Sequence, residues 1–168
     1  MRSSIMLMVL FVLTGVIGCE TAEEFSPDVE LYIKLLKTNQ YKETELPALE
    51  PADIPTLLAY SNDTLIITDF PHNGISSLWA PECKLGMFVL WTIESIRAVS
   101  INSEHLIGRF PSQNPILALR NASELELVFS EKSHLEAAMA YHYWWYSRTL
   151  FKNKMEIDPL ENTDYRWH

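Results

Sequence analysis

Glu94, Cys83 and His72 are the residues whose types could carry proton-transfer or nucleophilic chemistry. Glu94 lies inside the apolar stretch from Cys83 to Val99, a setting from which general acids and bases are made. Arg97 stands three residues on, one helical turn away, so a purely structural ion pair is the competing reading. Cys83 reads as a first-turn residue of the same helix, where the positive end of the dipole favours a thiolate. His72 is the histidine nearest to it in sequence that could act as its base, but no spacing requires the two to meet. A buried, inert thiol is the competing reading there.

Other catalytic signatures are missing from the sequence. There is no G-x-S-x-G elbow and no glycine-rich phosphate loop, and the chain has only 5 glycines. His72, His105, His134, His142 and His168 show neither H-x-x-x-H nor C-x-x-C company, so a metal site would have to be assembled by the fold alone. Neither metal nor cofactor is expected.

Cys19 invites a different chemistry. Ile5 to Ile17 is an apolar run behind a single basic residue, Arg2, which suits a secretory signal and is shorter than the roughly 20 residues needed to span a bilayer. Val16-Ile17-Gly18-Cys19 closes that run and resembles a bacterial lipobox, in which diacylglycerol is attached to the cysteine sulfur and the leader, residues 1–18, is then removed. Several acyl chains on one N-terminus hold a protein on a membrane, since each buried methylene contributes about 0.8 kcal/mol. Behind it, Glu20, Glu23 and Glu24 make residues 19–26 an acidic tether, which also resembles a surface-export signal of Bacteroidota lipoproteins.

Aromatic residues offer a binding surface. Tyr141-His142-Tyr143-Trp144-Trp145-Tyr146 sits at helical spacing, so most of these rings are expected in a core, with Tyr143 and Tyr146 on a face shared by Leu135, Met139 and Leu150. The functional alternative is an exposed ligand platform built on Trp144 with Trp79 or Trp167. Asp63-Thr64-Leu65 resembles a short O-glycosylation acceptor motif with Thr64 as the acceptor, and reads equally well as an Asx-type turn leading into an extended segment.

The elements that would position these groups read as helical. Ser26-Pro27-Asp28 starts a helix carrying Val29, Tyr32, Ile33 and Leu36 to about Thr38. Prolines 47, 51 and 55 break the next stretch, and Ile54, Leu57 and Leu58 form a short helix. Thr64 to Thr68 is one short extended segment. The Cys83–Val99 helix is apolar on most sides and belongs in the middle, with Gly86 marking a close approach of another backbone. Asn114-Pro115 can start a further helix, and Ser123 with Glu126 fits a capping box, although Leu125-Glu126-Leu127 also alternates like a strand. Ser133 with Glu136 fits another box, opening a helix from about His134 to Phe151. Asp158-Pro159 onward reads as a polar tail, residues 158–168.

Ile54-Pro55, Leu57-Leu58, Phe70-Pro71, Ser76-Ser77, Leu85-Gly86 and Leu90-Trp91-Thr92-Ile93-Glu94-Ser95-Ile96-Arg97 resemble a family of uncharacterised Bacteroidota lipoproteins over roughly residues 27–97. The resemblance implies the address and a helical fold, and brings no activity with it.

The expectation is therefore an all-α domain over residues 27–157, a bundle or α-hairpin array of about five helices. The formal net charge of −9, one unit more negative once Arg2 is removed, with no Lys/Arg cluster, argues against nucleic acid as a partner. The expected role is a non-catalytic module, anchored by lipid to the outer membrane and periplasmic or surface-exposed, that binds a partner protein or a glycan. The competing roles are a small hydrolase or transferase built on Glu94, Cys83 and His72, and a structural subunit of an envelope complex.

Overall fold

A computed structural model describes residues 27–71, 81–103 and 115–168. Cys19, Glu20, Glu23, Glu24, His72 and Trp79 lie outside the described residues, as does Asn114. The helix expected from Asn114-Pro115 is corrected, since Pro115 and Ile116 lead into a strand at Leu117–Leu119. Helix α1 (Pro27–Lys37) has acidic Asp28 and Glu30 in its first turn and Lys34 and Lys37 in its last, each complementing the helix dipole. Val29, Tyr32, Ile33 and Leu36 are its buried face, at the spacing read from the sequence. Asn39, at φ 53°, supplies the left-handed residue that ends it, with Gln40 N–H returning to the Leu35 carbonyl at 2.8 Å. A 3₁₀ turn at Pro51–Asp53 leads into α2 (Ile54–Leu58).

Helix α3 (Leu85–Ser100) is the centre of the molecule, buried from Leu85 to Glu94 without a break. It packs against α2, α4 (Glu131–Tyr146) and α5 (Phe151–Glu156). Tyr32 also donates a hydrogen bond to Thr92 Oγ1 at 3.1 Å, tying α1 to it. The close approach expected at Gly86 is present: a Cβ there would lie 2.5 Å from the His134 Nε2 and closer still to the Ser61 carbonyl. Asn102, at φ 48°, ends α3 as Asn39 ends α1.

The all-α expectation is corrected by two small antiparallel sheets among the described residues. β1 (Ile66–Ile67) pairs with β2 (Cys83–Lys84), matching Ile67 to Cys83. Cys83 is therefore a strand residue, and α3 begins only at Leu85. The second sheet has the order β4-β3-β5, from β3 (Leu117–Leu119), β4 (Leu127–Val128) and β5 (Tyr165–Trp167). Leu117 pairs with Val128 on one side and Trp167 on the other. Ser123 and Glu126 thus lie in and beside a β-connection rather than in a capped helix, because the alternating Leu125-Glu126-Leu127 pattern finds a partner strand that the sequence places just before it.

Two further readings are corrected. The N-cap of α4 is Ser130, whose Oγ accepts the Ser133 N–H at 3.0 Å, so Ser133 is inside the helix. The expected helix to Phe151 instead stops at Tyr146, where Ser147 is extended. Lys154, from α5, donates to the Ser147 carbonyl at 3.2 Å and also to the Trp145 carbonyl, satisfying the end of α4 with a positive charge. Residues 158–168 are no polar tail: Leu160, Tyr165 and Trp167 are core residues.

A buried polar core and a candidate interaction surface

Glu94 and Arg97 do meet, on one face of α3. Arg97 Nε donates to both Glu94 carboxylate oxygens at 3.1 Å, and Nη1 donates to the Met155 carbonyl at 3.0 Å. Tyr141 of α4 donates to Glu94 Oε2 at 2.9 Å, and its oxygen accepts the Trp167 indole N–H at 2.8 Å. The Glu94 and Arg97 side chains are only 9% and 6% exposed. Burial works against the guanidinium charge, but the Glu94 hydrogen bonds outweigh it and hold the Arg97 pKa above its ordinary value. Burial, with the Glu94 charge beside it, pushes the Tyr141 phenol well up. A carboxylate so enclosed has no approach for a substrate, so the geometry favours the structural pair over a general acid or base.

Trp144 and Trp167 are also structural. Trp144 is buried and its indole N–H donates to the Lys154 carbonyl at 2.8 Å, joining α4 to α5. Trp167 is buried against Tyr141, ring centroids 6.4 Å apart and nearly perpendicular. An exposed platform on these two indoles is thereby corrected.

Cys83 lines a mostly apolar pocket of about 280 Å³ with Met87, Leu117, Val128 and His134. Burial, helped by the Glu82 charge, pushes its thiol pKa well above the ordinary value, the opposite of an activated nucleophile. The histidine that shares the pocket is His134, not read as functional from the sequence. Its Nε2–H donates to the Ser61 carbonyl at 2.7 Å, and burial lowers its pKa although that bond opposes the shift. Ser61 itself is fully buried; its hydroxyl donates to the Leu58 carbonyl at 2.7 Å. His142 Nε2 lies 3.0 Å from that hydroxyl and 3.2 Å from the same carbonyl, so it stands there as a donor. Ser61 thus faces a proton donor rather than a base, and the group closes the end of α2. Thr64 is exposed, and the Asp63 carboxylate before it accepts the Leu65 N–H at 2.9 Å, the Asx-type turn.

What the fold leaves open is one face of α4. Leu135, Met139, Tyr143 and Tyr146 are 50%, 54%, 80% and 56% exposed, although their spacing marks them as a single apolar stripe. The buried face is instead Ala137, Ala138, Tyr141 and Trp144. The sequence carries both stripes, and the two alanines decide between them, since only small side chains let α4 approach α3 closely. Beside the exposed stripe runs a groove of about 700 Å³ between α4 and residues 157–165. Met139 and Tyr143 form one wall, and Glu136, Asp158, Glu161 and Asp164 place four carboxylates along it without a lysine or arginine among the lining residues. Tyr165 donates to Glu136 at 2.6 Å, and that bond, with burial second, pushes its phenol pKa to about 12. Arg120 pairs with Asp158 at 3.0 Å; no cation among the described residues pairs with Glu161 or Asp164.

Comparison with known proteins adds a family. A family described as "Domain of unknown function (DUF4943)" matches residues 23–168. The chain belongs to this family. No curated protein and no solved structure matches it. The DUF4943 match takes in every element described above, so the buried Glu94–Arg97–Tyr141–Trp167 network and the open face of α4 both lie within it. Among the described residues of this DUF4943 domain, no helix is long and apolar enough to cross a membrane, and no three His, Cys, Asp or Glu side chains are grouped to hold a metal.

Proposed function

We propose that the chain is a non-catalytic interaction module of a Bacteroidota-type lipoprotein, held by lipid on Cys19 at the outer membrane, facing the periplasm or the cell surface, and engaging a partner protein through the exposed face of α4. The observation that carries this reading is the stripe Leu135, Met139, Tyr143 and Tyr146, left in solvent on a helix whose other face is fully packed. Leu135 and Met139 are aliphatic and offer nothing to sugar hydroxyls, which favours a protein over a glycan. Such a stripe also fits a structural subunit of an envelope complex, which is the same surface used permanently. Against a hydrolase or transferase count the enclosure of Glu94 and the raised pKa of the Cys83 thiol.

Two measurements test the reading. Intact mass of the protein extracted from membranes is expected to show acyl chains on Cys19, and Cys19→Ala is expected to release it; an unmodified Cys19 would remove the anchor. A photo-crosslinking amino acid at position 143 is expected to give a discrete protein adduct in the cell envelope, while one at exposed Val99 gives none. Failure to crosslink at 143 would remove the α4 face as the binding surface. A mass increment at Thr64 would add glycosylation to the exposed turn.

A further inference from the structure

The groove beside α4 has a chemistry that narrows its partner, an inference that rests on the interaction role proposed above. The exposed stripe beside it runs from Leu135 to Tyr146, about 16 Å at 1.5 Å per residue, or three helical turns, and its Met139 and Tyr143 are also the groove's wall. Its polar side is acidic: Glu136, Asp158, Glu161 and Asp164, with Glu161 and Asp164 exposed. A second copy of the chain, net charge −9, would set like charges against these carboxylates. An anionic lipid surface would meet the same repulsion. A basic segment with an apolar face of about three turns has neither problem.

We propose that this groove and the stripe beside it dock a basic amphipathic helix of a partner protein, its apolar residues laid along Leu135, Met139, Tyr143 and Tyr146 and its lysine or arginine flank turned into the groove toward Glu161 and Asp164. Apolar contact supplies the seat. Charge supplies the choice of partner and its orientation. Arg120 already neutralises part of Asp158, and Tyr165 with Lys132 engages Glu136, so Glu161 and Asp164, with no ion-pair partner among the described residues, are the carboxylates left for the incoming cations.

The test uses the purified full chain and three synthetic 18-residue peptides read by fluorescence anisotropy. One is a leucine/lysine amphipathic helix, one the same composition scrambled so that no apolar face forms, and one the leucine/glutamate counterpart. The amphipathic basic peptide is expected to bind at least 10-fold tighter than either control. M139S with Y143S is expected to weaken it at least 10-fold, and E161Q with D164N to weaken it and flatten its dependence on salt. These positions are exposed, and circular dichroism of the variants verifies their fold. Equal binding of the scrambled peptide, or indifference to both pairs of substitutions, overturns the proposal. So does self-association in sedimentation that Y143S abolishes, which makes the occupant a second copy, and so does saturable oligosaccharide binding lost in Y143S, which makes it a glycan. If the basic peptide fails while crosslinking at position 143 succeeds, the face stands and only the partner's chemistry falls; failure of both removes the face.

Discussion

The Trp167 indole N–H donates to the Tyr141 hydroxyl, 2.8 Å away, and Tyr141 in turn donates to Glu94. One oxygen therefore links β5, α4 and α3 in the interior. Removing only that oxygen, by Tyr141→Phe, leaves the indole N–H and one carboxylate lone pair without a partner. The expected loss is about 1–3 kcal/mol of unfolding free energy, read from urea denaturation. An unchanged midpoint would mean that the network carries no weight in the folded state.

Arg97→Met is expected to be more damaging, about 3–5 kcal/mol, since it leaves Glu94 charged and enclosed. Combining it with Glu94→Leu is expected to recover part of the loss, because the orphaned charge is then gone. A double variant no more stable than Arg97→Met alone would contradict this account of the pair.

Gly86→Ala sets two effects against each other. Alanine is the better helix former by about 1 kcal/mol. Its methyl, however, would enter the Ser61 carbonyl and the His134 ring. Backbone cannot give way as a flexible side chain can, so a net destabilisation of about 1–3 kcal/mol is expected in urea or thermal denaturation. A stabilised variant would show that α2 and α3 can move apart freely.

His134 gives the fold a pH dependence with a definite sign. Burial lowers its pKa below the ordinary 6.5, so between those values the unfolded chain takes up a proton that the native state resists. Stability is full above about pH 6.5 and falls as the pH drops toward the folded-state value. The urea midpoint is expected to fall from pH 7.5 to 5.5, and to fall less in His134→Gln; equal slopes would exclude His134. Asp63 acts in a lower window. Burial opposes its charge, yet Lys37 and the Leu65 N–H hold its pKa below 3.8, so its contribution is lost only in stronger acid.

The helical parts of the fold were legible where one apolar stripe stood alone, as with Val29, Tyr32, Ile33 and Leu36 in α1, or where apolar residues covered most of the helix, as in α3. α4 misled because it carries two stripes. Larger Leu135 and Met139 outweigh Ala137 and Ala138 on any scale of hydrophobicity, but the alanines, not the larger residues, fit against the neighbouring helices. Of the strands, β1 lies within the extended segment read at Thr64 to Thr68, and β4 starts within the alternation of Leu125-Glu126-Leu127; the pairings themselves were not legible, because each strand has two or three residues and Ile67 meets Cys83, and Leu117 meets Trp167, far along the chain. Yet Tyr165-Arg166-Trp167 does alternate, buried, half-buried, buried, and that period was a readable signal in a stretch taken for a tail. The Glu94–Arg97 pair was legible from its spacing of three; Tyr141 and Trp167, which complete it, were not, since nothing local joins them.

The place of β5 in the sheet has a consequence for the order of events in biogenesis. Trp167 sits beside Leu117 in the register, and His168 N–H returns to the Ile116 carbonyl at 3.1 Å. A ribosome releases the chain N-terminus first, so α3 and β3 emerge before the residues that pair with them. Until residues 165–167 reach β3, the Leu117 edge of the sheet and the Tyr141 hydroxyl lack these partners. Closure of this interior therefore waits on a pairing fifty residues apart in the chain, Leu117 with Trp167, and the entropy of closing so long a loop slows folding.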